Sequence, residues 1–264
     1  MKFSSVMLAA LIAASLLLAP HPLAAADEPI NPDRPGIADG SEAVGRQRFQ
    51  IEFGINRDHT SDSGVDERAT STPLLFRYGI TDRLEARVES QGYQRATVTD
   101  GLQRDTSSSW QPFSVGVKFH FLDRQQGRPS LGLIARVSPR SGTGETRSHR
   151  TTGDLRLAAD YDLSKKWSLN PNLGVASYEG GDGRSFTATL AALTIQYNVT
   201  ETFNTFVDGG LQSPQDRSGG STLQFDTGAA WILGGSTQLD ASVTWSARGS
   251  GPNVTWSAGI SRKF

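Results

Sequence analysis

Few residues in this chain could act together as nucleophile, base or metal ligand. Its 264 residues include no cysteine and four histidines, which removes a Cys nucleophile, a thiolate metal site and a disulfide framework together. His21 lies near the N-terminus, His59 and His149 fall in polar stretches, and His120 sits in an alternating apolar one. A lipid-cleaving Ser–His pair needs its partners held rigidly and reachable from the outer leaflet. Ser148 and His149 are neighbours in a loop-like run, and His120 belongs to an inward face at the opposite end, so neither suits that chemistry. No Gly-x-Ser-x-Gly, His-Glu-x-x-His or phosphate-loop pattern occurs. Gly180-Gly181-Asp182-Gly183 matches one unit of a calcium solenoid, and a single copy reads as a hairpin loop. The expectation is a non-enzyme without a cofactor or metal. What remains is charge: 26 Lys+Arg against 27 Asp+Glu, a formal net charge of −1, without the basic excess of a nucleic-acid binder.

Those charges are ordered. After Arg46 apolar residues recur at every second position: 49, 51, 53 and 55; 113 to 121; 131 to 137; 225 to 233; 239 to 247; 254 to 260. Period two is the signature of half-buried strands, and no stretch sustains the three-and-four spacing of a long amphipathic helix. About twelve strands are expected, at 47–57, 72–81, 83–93, 110–121, 129–139, 152–162, 167–178, 185–197, 202–212, 221–233, 238–248 and 253–264. Pro171 interrupts the seventh where a ladder donor belongs, and 186–192 disagrees with 193–197 about which face is apolar. A bulge could accommodate either, and ten or fourteen strands stay open.

The connections alternate as well. Asp58–Ser71, Gln94–Ser109, Arg140–Thr151 and Ser213–Gly220 are long and polar, whereas Thr81-Asp82, Asp123–Arg128, Leu163–Lys166, Asn198–Glu201 and Gly234–Thr237 are tight. Aromatic residues gather near strand ends, with Tyr78, Phe119, Phe121, Tyr161, Trp167, Tyr197, Phe203, Trp231 and Phe264 on the short-turn side. Tyr93, Trp110, Tyr178, Phe225, Trp245 and Trp256 mark the other. A soluble sandwich explains the alternation but neither the loop asymmetry nor the terminal aromatic. The reading is all-β: a transmembrane antiparallel up-and-down β-barrel with short periplasmic turns and longer extracellular loops.

The N-terminus carries Lys2, an apolar run from Val6 to Ala19, and small residues ending at Ala24-Ala25-Ala26. That is the layout of a secretory signal peptide over 1–26, and the run is short for a membrane span. Residues 27–45 are not periodic and form either a flexible periplasmic leader or a plug, with Asp33 and Arg34 bonding inward charges at the periplasmic mouth. Residues 46–264 form the barrel, placed in the outer membrane with outer-membrane lipid and lipopolysaccharide as its surroundings. Phe264 resembles the terminal aromatic signal by which the barrel-assembly machinery would take it up.

If apolar positions face lipid, the alternate ones face the lumen. The lumen-lining candidates are Glu52, Arg77, Glu85, Arg87, Glu89, Lys118, Arg136, Asp154, Arg156, Asp160, Asp208, Asp226 and Asp240, with His120 beside them. Their basic members lie on strands two to six, while strands nine to eleven contribute only Asp208, Asp226 and Asp240. Rolled into a cylinder, an Arg-rich mixed wall opposes an acidic one and sets a transverse field across a polar channel. The expected function is a channel or transporter passing small solutes by passive or facilitated diffusion. The alternative is a closed structural or surface-interaction barrel whose charges pair across the lumen and plug it.

Asp33-Arg34-Pro35-Gly36, then Val44-Gly45, Arg48-Phe49-Gln50-Ile51-Glu52, and the run Pro73 to Glu85 through Arg77-Tyr78-Gly79-Ile80-Thr81-Asp82-Arg83 are similar to a known pattern. In these residues the chain resembles the bacterial outer-membrane transporter family named for the phenol meta-cleavage (MetA) pathway. The likeness spans most of the chain after the signal segment and is most specific in its first sixty residues. It implies an outer-membrane barrel and a transporter, with small aromatic or other organic compounds as solutes. Arg262, two before the end, departs from the aromatic or apolar residue usual there.

Overall fold

The computed structural model describes residues 29–249 and 251–264; the expected signal peptide lies outside them. Strand β1 (Phe49–Asp62) leads into three interrupted staves. β2 (Val65–Ser71) and β3 (Leu74–Gly79) are halves of one, broken at Thr72-Pro73. β4 (Leu84–Ser90) with β5 (Tyr93–Asp100), and β6 (Gln103–Trp110) with β7 (Phe113–Leu122), are the others, broken at Gln91-Gly92 and Gln111-Pro112. The rest are continuous: β8 (Ser130–Ser138), β9 (Thr152–Asp162), β10 (Trp167–Glu179), β11 (Ser185–Asn198), β12 (Phe203–Ser213), β13 (Thr222–Leu233), β14 (Thr237–Arg248) and β15 (Val254–Lys263). Each stave is antiparallel to the next, and β15 pairs with β1 from Gln50↔Lys263 to His59↔Val254, closing a twelve-stave barrel.

Closure is what lets this chain face hydrocarbon, because every main-chain donor and acceptor in a bilayer must be paired within the protein. The outside carries the apolar half of each strand: Ile55, Val115, Val117, Leu173 and Val207 are all exposed. Trp167, Phe203 and Trp231 ring the short-turn end, and Trp110, Phe225, Trp245 and Trp256 the other. Tyr178 departs from the expected belt: it points inward, against Phe186 at 5.7 Å and into the outer half of the lumen. Among the described residues no helix is long and apolar enough to cross a membrane.

Two stretches expected as polar loops are strands. Asp58–Ser71 becomes the end of β1, a hairpin turn and β2; Gln94–Ser109 becomes β5 and β6. They were invisible to periodicity because both faces are polar once the sheet leaves the membrane. The first hairpin turns on Ser63 (φ 50°) and Gly64 (φ 91°), the pair of positive dihedrals that a two-residue primed turn requires.

The two irregularities in the pattern resolve without bulges. At Pro171 the β10–β11 ladder runs on (Pro171↔Leu193), and the gap falls on the β9 side. There the Asn170 side chain donates to the Ala159 carbonyl at 2.8 Å, supplying the donor that proline lacks. In β11 the inward face keeps its parity, and its apolar members Leu190 and Ala192 share a pocket with Ile37 of the N-terminal segment. Asn170→Ala is therefore expected to destabilise the barrel by about 1–3 kcal/mol, the cost of an unpaired buried acceptor. A lower urea midpoint at unchanged slope in lipid or detergent checks it.

Candidate functional site

Residues 29–45 run through the barrel interior, and their charges meet charges of opposite sign on the wall. Toward the basic side, Asp33 sits 2.7 Å from an Arg87 Nη2 and 3.0 Å from Lys118 Nζ, with Arg77 at 3.8 Å. Asp39 lies 2.6 Å from Arg136, 2.8 Å from Arg156 and 3.3 Å from Arg87. Toward the acidic side, Arg34 donates to Asp240 at 3.1 Å and to Ser257 at 2.9 Å. Burial alone would raise the carboxyls of Asp33 and Asp39. For Asp33 the cations Arg77, Lys118 and Arg87 outweigh burial, and for Asp39 Arg136, Arg87 and Arg156 do so; both are held well below the ordinary carboxylate range.

Wall residues also grip the segment's main chain. Glu52 accepts from the N–H groups of Asp33 and Arg34, each at 3.0 Å. Glu85 accepts from Val44 N–H at 2.9 Å, Asp160 from Ser41 N–H at 2.8 Å, and Asp208 from Ile37 N–H at 2.8 Å. Arg77 joins these anchors, binding Glu85 through Nε and Nη2 and Glu52 at 3.1 Å, while donating to the Asn31 and Glu42 carbonyls. Asn170 and Asn172 both donate to the Asp39 carbonyl.

Glycines in the wall make room for the segment at several points. Gly54 and Gly259 face each other across the closing β1–β15 pair. The Arg34 guanidinium lies in the slot they leave: a Cβ on Gly54 would come within 2.6 Å of its Cζ, and one on Gly259 within 2.8 Å. Gly79 and Gly132 likewise make room for the carbonyls of Gly45 and Ser41.

None of the thirteen lumen-lining candidates occupies an exposed position. Glu52, Arg77, Glu85, Arg87 and Lys118 are at most 2 % exposed. Arg136, Asp208, Asp226 and Asp240 are buried; Glu89, Asp154, Arg156 and Asp160 are partly so. They divide into two groups. Glu89 joins Arg136 at 2.9 Å, and Asp154 joins Arg136 at 3.0 Å, so these pair within the wall. Asp208 and Asp226 stand directly opposite one another on β12 and β13, an acidic patch away from the arginines.

His120 is structural in its contacts: one ring nitrogen meets the Ser41 carbonyl at 3.2 Å and the other Asp123 at 2.9 Å. The Ser41 hydroxyl is engaged elsewhere, with Ser130 and Asp160. Sequence reasoning missed Asp39, Ser41, Asn170, Asn172 and the glycine slot. The available signal was glycine on inward positions of otherwise large-residue strands, which says that something approaches but not what.

Two of the polar cavities that remain share the turn Asp33–Gly36 in their lining. One, of about 450 Å³, opens toward the short turns and is bordered by Asn31, Glu42, Asn204 and Gln238. The other, of about 680 Å³, opens toward the long hairpins and is bordered by Glu89, Asp154, Tyr178 and Thr255.

A family model described as "Putative MetA-pathway of phenol degradation" matches residues 32–264, beginning at the Asp33-Arg34-Pro35-Gly36 turn. Among solved structures, the chain is similar to an outer membrane channel from Pseudomonas putida F1, with a TM-score of 0.64 and 16% identity, covering 87% of this chain and 99% of that one. The beta domain of the Bordetella autotransporter BrkA has a TM-score of 0.55 and 15% identity over 83% of this chain and all of its own. The NanC porin has 0.52 and 13% over 82% of this chain, again with its whole length covered. At these identities the likeness is one of fold. No curated protein sequence matches the chain.

Because Asp33 and Asp39 titrate below their unfolded value of 3.8, their stabilisation is fully present above that pH and is lost only as pH falls further, through the folded values. A spin label on Ala43→Cys should thus be more mobile in acid below about pH 4, where these two pairs are lost, than at pH 7. Equal mobility at the two pH values would contradict the pairing.

Proposed function

The chain belongs to the MetA-pathway family of phenol degradation, and we propose that it is an outer-membrane channel for small organic solutes whose passage is set by residues 29–45 acting as a plug. One observation carries this reading: polar cavities of about 450 and 680 Å³ lie on either side of the segment and share only the Asp33–Gly36 turn of their lining. A tether held by ion pairs and hydrogen bonds, without a covalent link, can shift on the timescale of loop motion. The channel passes solutes by diffusion. Asp226 and Asp208 facing the paired arginine wall would orient dipolar solutes, and Tyr178 with Phe186 gives the outer cavity an aromatic surface. Small aromatic compounds fit both that surface and the family's description.

The closed-barrel reading has its own support in the Arg77–Glu52–Glu85 cluster, which fills part of the interior with buried ion pairs. Planar-bilayer conductance of the refolded chain separates the two. The channel reading expects ion-selective steps from the intact protein and steps several-fold larger after deletion of 29–45. Silence from both, with heat-modifiable migration retained, would transfer the function to the exposed hairpins.

A further inference from the structure

Beyond the outer aromatic belt the ends of β1, β2, β5 and β6 continue as one four-stranded sheet, and its charges are sorted by face. Registers Arg57↔Thr70 and Thr70↔Arg95 put Arg57 and Arg95 in one row. Arg68 lies in the next row, opposite Thr97, and Arg104 in the third, opposite Thr99. All four arginines are exposed and share the face that carries Ile51, Phe53 and Ile55 lower on β1. The opposite face takes Asp58, Glu67 and Asp105. On the arginine face Asp66 is the acid present, paired with Arg68 at 3.0 Å and with His59 at 2.7 Å. Arg57 and Arg104 have no ion-pair partner among the described residues.

Height fixes what these arginines can meet. Arg57 is the direct cross-strand neighbour of Trp256, which is 61% exposed. Arg95 follows two positions after Tyr93, whose ring packs edge-on against Trp110 at 5.4 Å. Belt aromatics mark the boundary between hydrocarbon and headgroups, so the patch begins where headgroups begin and faces sideways, toward the leaflet rather than the lumen. Arg57 and Arg95 are two strand spacings apart, roughly 10 Å, which suits a ligand with more than one anionic group. Guanidinium groups bind phosphate through paired donors, and Thr97 and Thr99 add hydroxyls to the same shallow cleft of about 600 Å³.

We propose that this outward face binds the phosphorylated sugar headgroup of an outer-leaflet glycolipid. A polar hairpin serving only to lengthen the barrel has no need to place its arginines on the lipid-side face and its acids on the other. The site is independent of whether the lumen conducts.

Native mass spectrometry of the refolded chain in non-ionic detergent, with doubly phosphorylated lipid A as the probe, tests it. The unaltered chain should retain lipid A through detergent exchange, with R57Q/R95Q/R104Q retaining about tenfold less, a loss of about 1.4 kcal/mol, and R217Q unchanged. Enzymatically dephosphorylated lipid A should be retained as weakly as by the triple variant. If the triple variant loses heat-modifiable migration, R57Q/R104Q with the dephosphorylated probe gives the same decision. Equal retention of the two lipid forms, or undiminished retention by a folded arginine variant, would overturn the proposal. Displacement of lipid A by equimolar inorganic phosphate would also overturn it, by showing a free-anion site.

Discussion

Ionic matching across the lumen organises this molecule. A charge inside a protein is costly unless it is paired and hydrogen-bonded, and removing one partner of a buried pair costs about 3–5 kcal/mol. The barrel wall places Arg77, Arg87, Lys118, Arg136 and Arg156 on one side, and its own acids satisfy only part of them. Asp33 and Asp39 from the N-terminal segment complete the set, while Arg34, between them in sequence, points the other way to Asp240. The segment is thereby held in one orientation: reversing it would set carboxylates against Asp208, Asp226 and Asp240.

The rest of the interior is shaped around that placement. Inward glycines at 54, 79, 132 and 259 are the positions where the segment presses on the wall, and the Gly54–Gly259 slot lies at the seam that closes the sheet. Ile37 turns a polar wall locally apolar, which is why β11 carries Leu190 and Ala192 on its inner face. Asn170 repairs the ladder beside Pro171 and at the same time reaches the Asp39 carbonyl. Barrel and segment share residues, so the fold's irregularities and the site's geometry have common causes.

How much of this could be read in advance follows the same physics. Alternation located all twelve staves because one face meets lipid and the other water, and parity alone placed Arg77, Glu85 and Lys118 inside. It failed where that contrast vanishes: β2, β5 and β6 are polar on both faces and read as loops. Tyr178 was assigned to the outer belt by its nearness to a strand end, although its parity with the inward Asn172 and Ala176 puts it inside. Asp33 and Arg34 were legible as partners for inward charges. Asp39 was not, since nothing local distinguishes an aspartate that will meet three arginines from a solvated one.

The most direct measurement uses the absence of cysteine from the sequence. The Ser41 and Ser130 hydroxyls are 2.8 Å apart, one on the segment and one on the wall, close enough for a disulfide to replace them. In membranes at neutral pH, S41C/S130C should cross-link nearly completely, and adding D33K/D39K should abolish most of the cross-link. A cross-link absent from the first protein, or indifferent to the charge reversal in the second, would contradict a segment seated in the lumen by ionic matching.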